Sequence, residues 1–354
     1  MDGLNHLVWS CTRAYEIKYA YSLGDGKPLP DELTTNEART LIEKVADFGV
    51  RNFFITGAGV TGEPLLRKDF LEIIRYASEH GLAPYVKISG WRIDSDTARE
   101  LASCNCKVII SIAGLKEVDD FLRGRGAHER SISVARLCAK EGILLSLSVV
   151  NTKYVVNQIR DLVELSLNIG SQGFSLASLI PQPICVEEQL PALGPLVPTP
   201  EEHEKELNEI YALSREVGNR IKLLPYEMFY NRILRKKEPS LELKSRCSLC
   251  NNLESNEWLE VLDDGKAYGC SSLGLMFGDI RKDSLEEIMS RIRVSDTVKR
   301  LADPNNIKGK CGVCEFNTIC GGCRARAYVY SGDMFTHDPA CPYKPQGKKG
   351  SPIK

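Results

Sequence analysis

Short apolar stretches alternate with amphipathic stretches from about residue 5 to residue 223, and this alternation restricts the fold more than any other feature. The apolar stretches have the length and residue types of buried strands, whereas the others repeat their apolar residues at helical spacing. The predicted strands are His6–Cys11, Asn52–Thr56, Pro84–Ser89, Val108–Ile112, Ile143–Val150 and Gly173–Leu179. The predicted helices include Asn36–Phe48, Asp69–His80, Ser131–Lys140 and Val156–Leu167. Repeated strand-helix units predict parallel strands covered by helices, in an open sheet or in a full or partial barrel.

Composition and charge exclude several classes of protein. The chain has 354 residues, of which 43% are hydrophobic, so it can bury the core of one large domain and a smaller one. Its net charge is only -1, which gives no indication of the concentrated basic surface that binding to nucleic acids or anionic membranes requires. No apolar run approaches the roughly 20 residues that span a bilayer, and the first residues do not form a signal peptide. We therefore expect a cytoplasmic protein without nucleic-acid or membrane partners.

Eight of the 13 cysteines lie in the last third of the chain. The segment from Cys311 to Cys323 has the spacing Cys-x2-Cys-x5-Cys-x2-Cys, which is typical of loops whose sulfurs converge on one metal centre. Disulfide-rich proteins are typically small and secreted, whereas this chain has a large core, so reduced thiols that bind metal are favoured. The eight cysteines are Cys247, Cys250, Cys270, Cys311, Cys314, Cys320, Cys323 and Cys341.

The eight cysteines can be divided into two four-thiolate sites in more than one way. In the local partition, Cys311, Cys314, Cys320 and Cys323 close around one site. In the nested partition, the first site has Cys247, Cys250, Cys270 and Cys323, and the second has Cys311, Cys314, Cys320 and Cys341. The spacing does not choose between the partitions, nor between zinc and a [4Fe-4S] cluster.

The strand-helix pattern ends before the cysteine-rich part. Thr199, Pro200 and Glu201 predict the start of a helix that continues to Val217, and a basic segment then leads to the cysteines. We predict one domain over residues 1–240, a second over residues 241–345 and a flexible tail over residues 346–354. The tail is rich in Gly, Pro and Lys, which are typical of disordered ends.

Several motifs of the chain match one known family in order. Gly265-x4-Cys270, the Cys311–Cys323 motif and the final Cys341-Pro342 resemble the SPASM domain of radical S-adenosylmethionine (SAM) enzymes. Upstream, TRA (12–14) resembles the start of TRACN, TGEPLLR (61–67) resembles GGEPLLR, SIAG (111–114) resembles SLDG, and DDFLRG (119–124) resembles the family's FRG segment. The resemblance is closest to haem-biosynthesis enzymes: the haem synthase, siroheme-pathway and haem d1 maturation group. It implies a partial (β/α)6 TIM-like barrel and a C-terminal cysteine-rich SPASM domain with one or two [4Fe-4S] clusters.

The chain departs from this family at the three cysteines that define it. The family binds its SAM-cleaving cluster through Cys-x3-Cys-x2-Cys just after the first strand, where this chain has Tyr15, Tyr19 and Ser22. Phenols with a pKa near 10 and a serine hydroxyl are poor replacements for thiolates. Cys11, four residues before Tyr15, cannot hold a cubane alone. We therefore expect a pseudo-radical enzyme that does not cleave SAM.

The segment GAGVTGEP over residues 57–64 has two interpretations. The resemblance implies that Gly62, Glu63 and Pro64 are the remnant of a SAM pocket. In that family, the corresponding segment contacts the amino group of SAM. Ala113 replaces the family's Asp in the pocket wall, which argues against SAM binding. The glycines also fit the dinucleotide fingerprint Gly-x-Gly-x-x-Gly, although no acidic residue ends the next strand.

Together these features predict an iron-sulfur protein of the radical SAM/SPASM superfamily that does not cleave SAM. We expect an electron-transfer or substrate-presenting accessory in the maturation of haem, another tetrapyrrole or a peptide cofactor. Its expected partners are an intact radical SAM paralogue or a ferredoxin-like electron donor, with a tetrapyrrole or peptide as substrate. Two alternatives stay open: an active enzyme of haem biosynthesis or peptide modification that uses SAM or a substitute chemistry, and a zinc-stabilised ligand-binding protein.

Overall fold

The computed structural model describes residues 4–18, 22, 25–58, 62–180, 193–243 and 258–347. Ten strands of this part of the chain form one sheet. They are β1 His6–Ser10, β2 Asn52–Thr56, β3 Ala83–Ile88, β4 Lys107–Ile112, β5 Leu144–Asn151, β6 Gly173–Ser178, β7 Lys222–Tyr226, β8 Trp258–Val261, β9 Lys266–Cys270 and β10 Leu275–Asp279. Their order across the sheet is β10-β9-β8-β1-β2-β3-β4-β5-β6-β7.

Helices connect the strands and cover the outside of the sheet. In the first part of the chain they are α1 Thr35–Asp47, α2 Phe70–Glu79, α3 Ser95–Ser103, α4 Lys116–Arg123, α5 Ala127–Lys140, α6 Ile159–Ile169, α7 Pro200–Val217 and α8 Tyr230–Lys237. The cysteine-rich part adds α9 Leu285–Val294, α10 Asp296–Ala302, α11 Gly309–Gly312 and α12 Arg324–Ser331.

Neighbouring strands from β1 to β7 are parallel and follow the order of the chain. Strand β8 also runs parallel to β1, whereas β9 and β10 extend the sheet in antiparallel pairs. Since β7 and β10 are the two ends of the strand order, the sheet is not closed within the described residues. The predicted α/β fold with a partial barrel is therefore confirmed.

The predicted strands agree with the structure within one or two residues, but the sequence analysis missed four strands. β2 has the predicted limits, whereas β7 and the three strands of the cysteine-rich part were not predicted. Strand β7 lies at an edge and contains Pro225, which weakens the strand signal because proline cannot donate to a ladder. Strands β8 to β10 have only four or five residues each.

Capping residues fix the starts of the long helices. Helix α1 begins after Thr34, which forms a reciprocal capping box with Glu37. Helix α7 begins at Pro200, as predicted, and Thr199 caps it. The capping partner is Glu202, one residue after the Glu201 that the sequence analysis named.

Alternate residues of the strands face the helices and the barrel interior. On β3, Val86 and Ile88 are buried in the core, whereas Lys87 lines an interior cavity. Aromatic rings lie near the amino ends of the first strands, where Phe54 stacks on Tyr85 at 4.5 Å and lies 6.0 Å from Trp258. The interior is consequently open at the carboxyl ends of the strands.

The cysteine-rich part is not separated from the barrel by a break in the sheet, because β8 pairs with β1. The domain limits at residues 240 and 345 stay predictions, and residues 348–354 of the predicted tail lie outside the described part. Among the described helices, none has both the length and the apolar character needed to cross a membrane.

Glu206 on α7 is a buried carboxyl group in the layer between the helix and the sheet. Glu206 is completely buried. Asn151 Nδ2, at the end of β5, donates a hydrogen bond of 2.8 Å to Glu206 Oε2. Burial raises the pKa of Glu206 to about 8. An unfolded Glu has a pKa of about 4.3, so the folded state holds a proton that the unfolded state releases at neutral pH.

We expect the free energy of unfolding to fall as pH rises from about 4 to 8, because only the folded state keeps this proton. Glu206→Gln removes the titration and should raise stability at pH 8 by about 4–5 kcal/mol relative to the wild type, with little change near pH 4. Urea unfolding at a series of pH values measures this. Glu201→Gln, at an exposed position of the same helix, is the control. Parallel pH curves for the wild type and Glu206→Gln would contradict the prediction.

Candidate functional site

A cavity of about 220 Å³ lies at the carboxyl ends of the barrel strands. Polar side chains at the ends of β2, β3, β4 and β6 line it, and parallel barrels place ligand chemistry at this end. The cysteine-rich part also reaches the cavity through Ser272. Polar lining residues include Tyr15, Thr56, Glu63, Lys87, Ser89, Ser111 and Ser178.

The loop after β2 folds tightly onto the end of β1. Ala58 N donates to Thr12 O at 2.8 Å, and Glu63 N donates to Ala14 O at 2.7 Å. A Cβ atom on Gly57 would lie 1.8 Å from the carbonyl oxygen of Gly62, so this approach requires glycine. Helix α2 begins only at Phe70. The loop therefore does not lead directly into a helix as the dinucleotide fingerprint requires, and that interpretation is not supported.

Glu63 is the buried carboxyl group of the cavity, with only 3% of the residue exposed. Its Oε2 accepts hydrogen bonds from Ser89 N at 2.8 Å and from Ser89 Oγ. Its Oε1 is buried and has no hydrogen-bond partner within the described ranges. Burial raises the pKa of Glu63. A buried carboxyl oxygen without a partner is costly, and a donor group of a ligand, such as an ammonium, would satisfy it.

The other residues of the predicted SAM-pocket remnant differ in position. Gly62 lines the cavity beside Glu63. Pro64 is buried and starts the short 3-10 turn Pro64–Leu66, and it is not one of the lining residues. The structure thus places two of the three predicted residues, Gly62 and Glu63, at one cavity wall.

Two of the three positions where the family has cysteines, Tyr15 and Ser22, lie at the mouth of the barrel. Tyr15 lines the cavity, and Ser22 lines a neighbouring depression with Trp91 and Phe121. Tyr19 lies outside the described residues. Cys11 is completely buried in the core, where burial raises the pKa of its thiol, and it does not line the cavity. The donor set present here, a phenol and a hydroxyl, does not fit a [4Fe-4S] cluster.

A buried ion pair occupies the region behind the SIAG segment, which sequence analysis did not foresee. Asp119 Oδ1 accepts from Ala113 N at 2.8 Å and lies 3.1 Å from Arg123 Nη1. Both charged side chains are completely buried. A carboxylate therefore does lie beside Ala113. It is that of Asp119 on α4, and it binds the backbone amide of Ala113 and the guanidinium of Arg123.

Four of the predicted cysteines line one small cavity in the cysteine-rich part. All four are buried, and burial raises the pKa of each thiol, to about 11 for Cys314. No three His, Cys, Asp or Glu side chains converge closely enough for a single metal ion in the part of the chain that the structure describes. The four residues are Cys311, Cys314, Cys320 and Cys341, named here the four-thiol site.

Cys323 stands apart from the four-thiol site. It is not one of the residues that line that cavity, and its Sγ accepts from Arg326 N at 3.5 Å at the start of α12. The turn Ser271–Leu273 packs against α12, so Cys270 and Cys323 flank the same contact. The choice between the nested and the local partition stays a prediction. The full first ligand set stays a prediction, because Cys247 and Cys250 lie outside the described residues.

Two cationic side chains border the four-thiol site. Arg232 is 2% exposed, lines the cavity and has Nη2 4.0 Å from Cys341 Sγ. Its Nε is buried and no described residue accepts a hydrogen bond from it. Lys310 Nζ donates to the carbonyl oxygen of Cys341. Four thiols, an unused N–H donor and adjacent positive charge fit an anionic iron-sulfur cluster, whose sulfurs accept hydrogen bonds.

A buried polar chain connects the two cavities. Arg326 binds Glu227 through two contacts of 2.9 Å and Asp338 through two contacts of 2.7 Å. At one end, Ser178 Oγ donates to Glu227 Oε2 at 2.7 Å. At the other, Asp338 N donates to Cys311 Sγ at 3.4 Å. Ser178 lines the strand-end cavity and Cys311 the four-thiol site, so hydrogen bonds and ion pairs run from one site to the other.

Known proteins resemble this chain over nearly all of its length. The AdoMet-dependent heme synthase of Methanosarcina barkeri is 29% identical over 97% of this chain and 97% of that protein. The family model of the radical SAM superfamily matches residues 11–165. Residues 11–165 form a radical SAM domain. The predicted resemblance to the haem-synthase group of this superfamily is thereby confirmed.

Other radical SAM proteins are similar to the chain as well. The PqqA peptide cyclase of Bradyrhizobium diazoefficiens is 27% identical over 89% of this chain and 79% of that protein. The solved structure of native anSMEcpe with bound AdoMet covers 95% of this chain and 94% of that chain, with a TM-score of 0.72 and 16% identity. At this identity the similarity establishes the radical SAM fold and not a common substrate.

Replacing Arg326 tests how strongly the buried polar chain holds the radical SAM barrel and the cysteine-rich part together. Arg326→Leu leaves Glu227 and Asp338 as buried carboxylates without their cation, which should lower the free energy of unfolding by about 3–5 kcal/mol. Anaerobic urea unfolding measures the change. Lys236→Leu removes an exposed cation of α8 and should cost less than about 1 kcal/mol. Equal effects of the two substitutions would show that the buried contacts do not stabilise the fold.

Proposed function

We propose that this protein is an iron-sulfur member of the radical SAM superfamily that does not cleave SAM. In this proposal it serves as an electron-transfer or substrate-presenting accessory in the maturation of haem or a related tetrapyrrole, or of a peptide cofactor. One observation carries the proposal: no thiol is among the described residues at the mouth of the barrel, whereas four thiols line one cavity in the cysteine-rich part.

Loss of SAM cleavage is supported by the groups at the barrel mouth. In this superfamily, reductive cleavage needs an electron from an iron atom that the methionine moiety of SAM chelates. Tyr15 and Ser22 lie at the barrel mouth, where the family has cluster cysteines. Neither side chain is a good ligand for iron in a cubane. The completely buried Cys11 thiol faces the core and cannot replace three thiolates.

An iron-sulfur centre is supported by the four-thiol site. Cys311, Cys314, Cys320 and Cys341 would hold it, and Arg232 lies beside them with an unused donor. When bound, a [4Fe-4S] cluster supplies a reversible one-electron carrier. The second cluster, with Cys270 and Cys323 among its ligands, rests on the sequence motif and on the contact that these two residues flank.

The surface near the four-thiol site suits an electron-transfer partner. Tyr343 lines the cavity, and Lys236 Nζ lies 4.8 Å from its ring. Lys236 and Lys344 are exposed, so the edge of the site carries positive charge. An acidic, ferredoxin-like donor would be attracted to such an edge. The other proposed partner is an intact radical SAM paralogue. In that case, this protein would hold the substrate in its strand-end cavity and present it to the paralogue.

One observation favours a second candidate function, SAM-dependent chemistry in an active enzyme. Glu63 Oε1 is buried at the wall of the strand-end cavity without a partner among described residues, and an ammonium group such as that of SAM would satisfy it. The relatives named AdoMet-dependent heme synthase and PqqA peptide cyclase suggest haem formation or peptide modification as the reaction.

Metal analysis combined with restored cysteines tests the main proposal. Anaerobically purified wild-type protein should contain four or eight iron atoms with matching acid-labile sulfide, and should form no 5′-deoxyadenosine from SAM with a strong reductant. Tyr15→Cys/Tyr19→Cys/Ser22→Cys supplies the family's three thiolates and should gain about four iron atoms per chain. The matched control is Tyr15→Ser/Tyr19→Ser, which changes the same two tyrosines without adding a thiol, since residue 22 is already Ser. Zinc without sulfide in the wild type, or 5′-deoxyadenosine formed above a protein-free control, would overturn the proposal.

Substitution of Arg232 gives a second test, which measures the reduction potential of the cluster. A neighbouring cation stabilises the more negative, reduced state, so Arg232→Gln should make the cluster about tenfold harder to reduce, or about 59 mV lower in potential. Lys236→Gln removes the same charge from an exposed position on the same helix and should have a much smaller effect. Glu204→Gln removes the carboxylate that binds Arg232 and should raise the potential. Redox titration followed by electron paramagnetic resonance measures all three, and equal potentials would contradict the prediction.

A further inference from the structure

Lys87 is a basic residue in the barrel interior for which the proposed function has no role. It lies on β3 between Val86 and Ile88, which are buried in the core, and it lines the strand-end cavity. Within the described ranges, no hydrogen bond or ion pair holds its Nζ. The residue is partly buried beside the cavity, and desolvation by the surrounding protein lowers the pKa of the amine. The position is therefore unusual for a lysine that only stabilises the fold.

A desolvated lysine with no counterion among the described residues has a specific chemical consequence. Desolvation favours the neutral amine over the ammonium, and a neutral amine is a nucleophile toward carbonyl carbon. Catalytic and Schiff-base lysines are activated by this kind of environment. A purely structural lysine would instead extend its amine to water or to a carboxylate.

The same cavity contains groups that can exchange protons with a reacting carbonyl compound. Glu63 has its pKa raised by burial, so its carboxyl group holds a proton more readily than an exposed one. Ser89 donates its hydroxyl hydrogen bond to Glu63 and also lines the cavity. At about 220 Å³ the cavity is smaller than typical sites for drug-sized ligands, which favours a small compound or one end of a larger one.

We propose that Lys87 forms an imine with an aldehyde or ketone bound in the strand-end cavity. The Nζ lone pair attacks the carbonyl carbon, and the carbonyl oxygen takes up a proton to give a carbinolamine. The carbon–oxygen bond then breaks and water leaves, so that amine and carbonyl give imine and water. Both protons of the water come from the amine in the net reaction, and no oxidant or reductant is consumed. This activity is independent of any iron-sulfur centre.

Lys107 on the adjacent strand is an internal comparison. It is at the amino end of β4, far along the strand from the cavity-lining Ser111, and is partly buried, as Lys87 is. Its Nζ donates to the carbonyl oxygen of Gly142 at 3.3 Å. Lys107 therefore has the hydrogen-bonded environment that Lys87 lacks, on the same sheet and in the same protein sample.

Reductive trapping tests the proposal on the full chain as purified. The protein is incubated at pH 7 with propionaldehyde and cyanoborohydride, and peptide mass spectrometry follows the modification of each lysine. Lys87 should be modified at least about tenfold faster than Lys107, with a rate that saturates as propionaldehyde increases. The preference should disappear when the wild-type protein is unfolded in urea, since it depends on the cavity and not on local sequence.

Two variants complete the test. Lys87→Met should remove the fast-modified site, and Lys87→Arg should do the same while keeping a positive charge. Circular dichroism and iron content of both variants show whether the fold and any cluster remain. The proposal is overturned if Lys87 in the folded wild type reacts no faster than Lys107, a result that does not depend on whether either variant folds. The iron and sulfide content of the wild type tests the proposed function separately.

Discussion

The contact on which most of the architecture depends is the double ion pair of Arg326. A single guanidinium neutralises Glu227, which follows β7, and Asp338, which lies in the last cysteine-rich segment. All three side chains are almost completely buried, so each charge relies on the others for its stabilisation. Because these residues come from distant parts of the chain, their contact sets the position of the thiols relative to the end of the barrel.

The two cavities differ in chemistry although they share this connection. The strand-end cavity has oxygen and nitrogen groups, among them Glu63 and Lys87, and no thiol among its described lining residues. The four-thiol site has soft sulfur ligands beside the cation Arg232. The described residues thus separate a thiol-lined cavity from a cavity lined by oxygen and nitrogen groups.

Much of the barrel could be predicted because its strands are buried parallel strands with strong apolar signals. β2 was placed without error, and α7 was recognised from Thr199 and Pro200. Strand β7 escaped notice because alternate exposure and a proline weaken the pattern of an edge strand. Cysteine spacing left two partitions open, since spacing along a chain does not say which sulfurs face one cavity.

Other parts of the site could not be read from sequence for a related reason. Glu227 and Arg326 are ordinary polar residues 99 positions apart, and their burial becomes visible only when the sheet and the cysteine-rich part are packed together. Lys87 lay inside a correctly predicted strand, but the sequence did not reveal that no described residue pairs with its amine. Local sequence patterns therefore do not predict ion pairs, or missing ion pairs, between residues that are distant along the chain.

The pairing of β8 with β1 has a consequence for the way the chain reaches this fold. Strand β1 is synthesised well before one of its two hydrogen-bonded neighbours, β8, which begins only at Trp258. Until then, one row of amide and carbonyl groups on β1 has no strand to bind. Such open edges recruit other extended chains. A nascent or truncated barrel therefore carries a self-association hazard that completion of the cysteine-rich part removes.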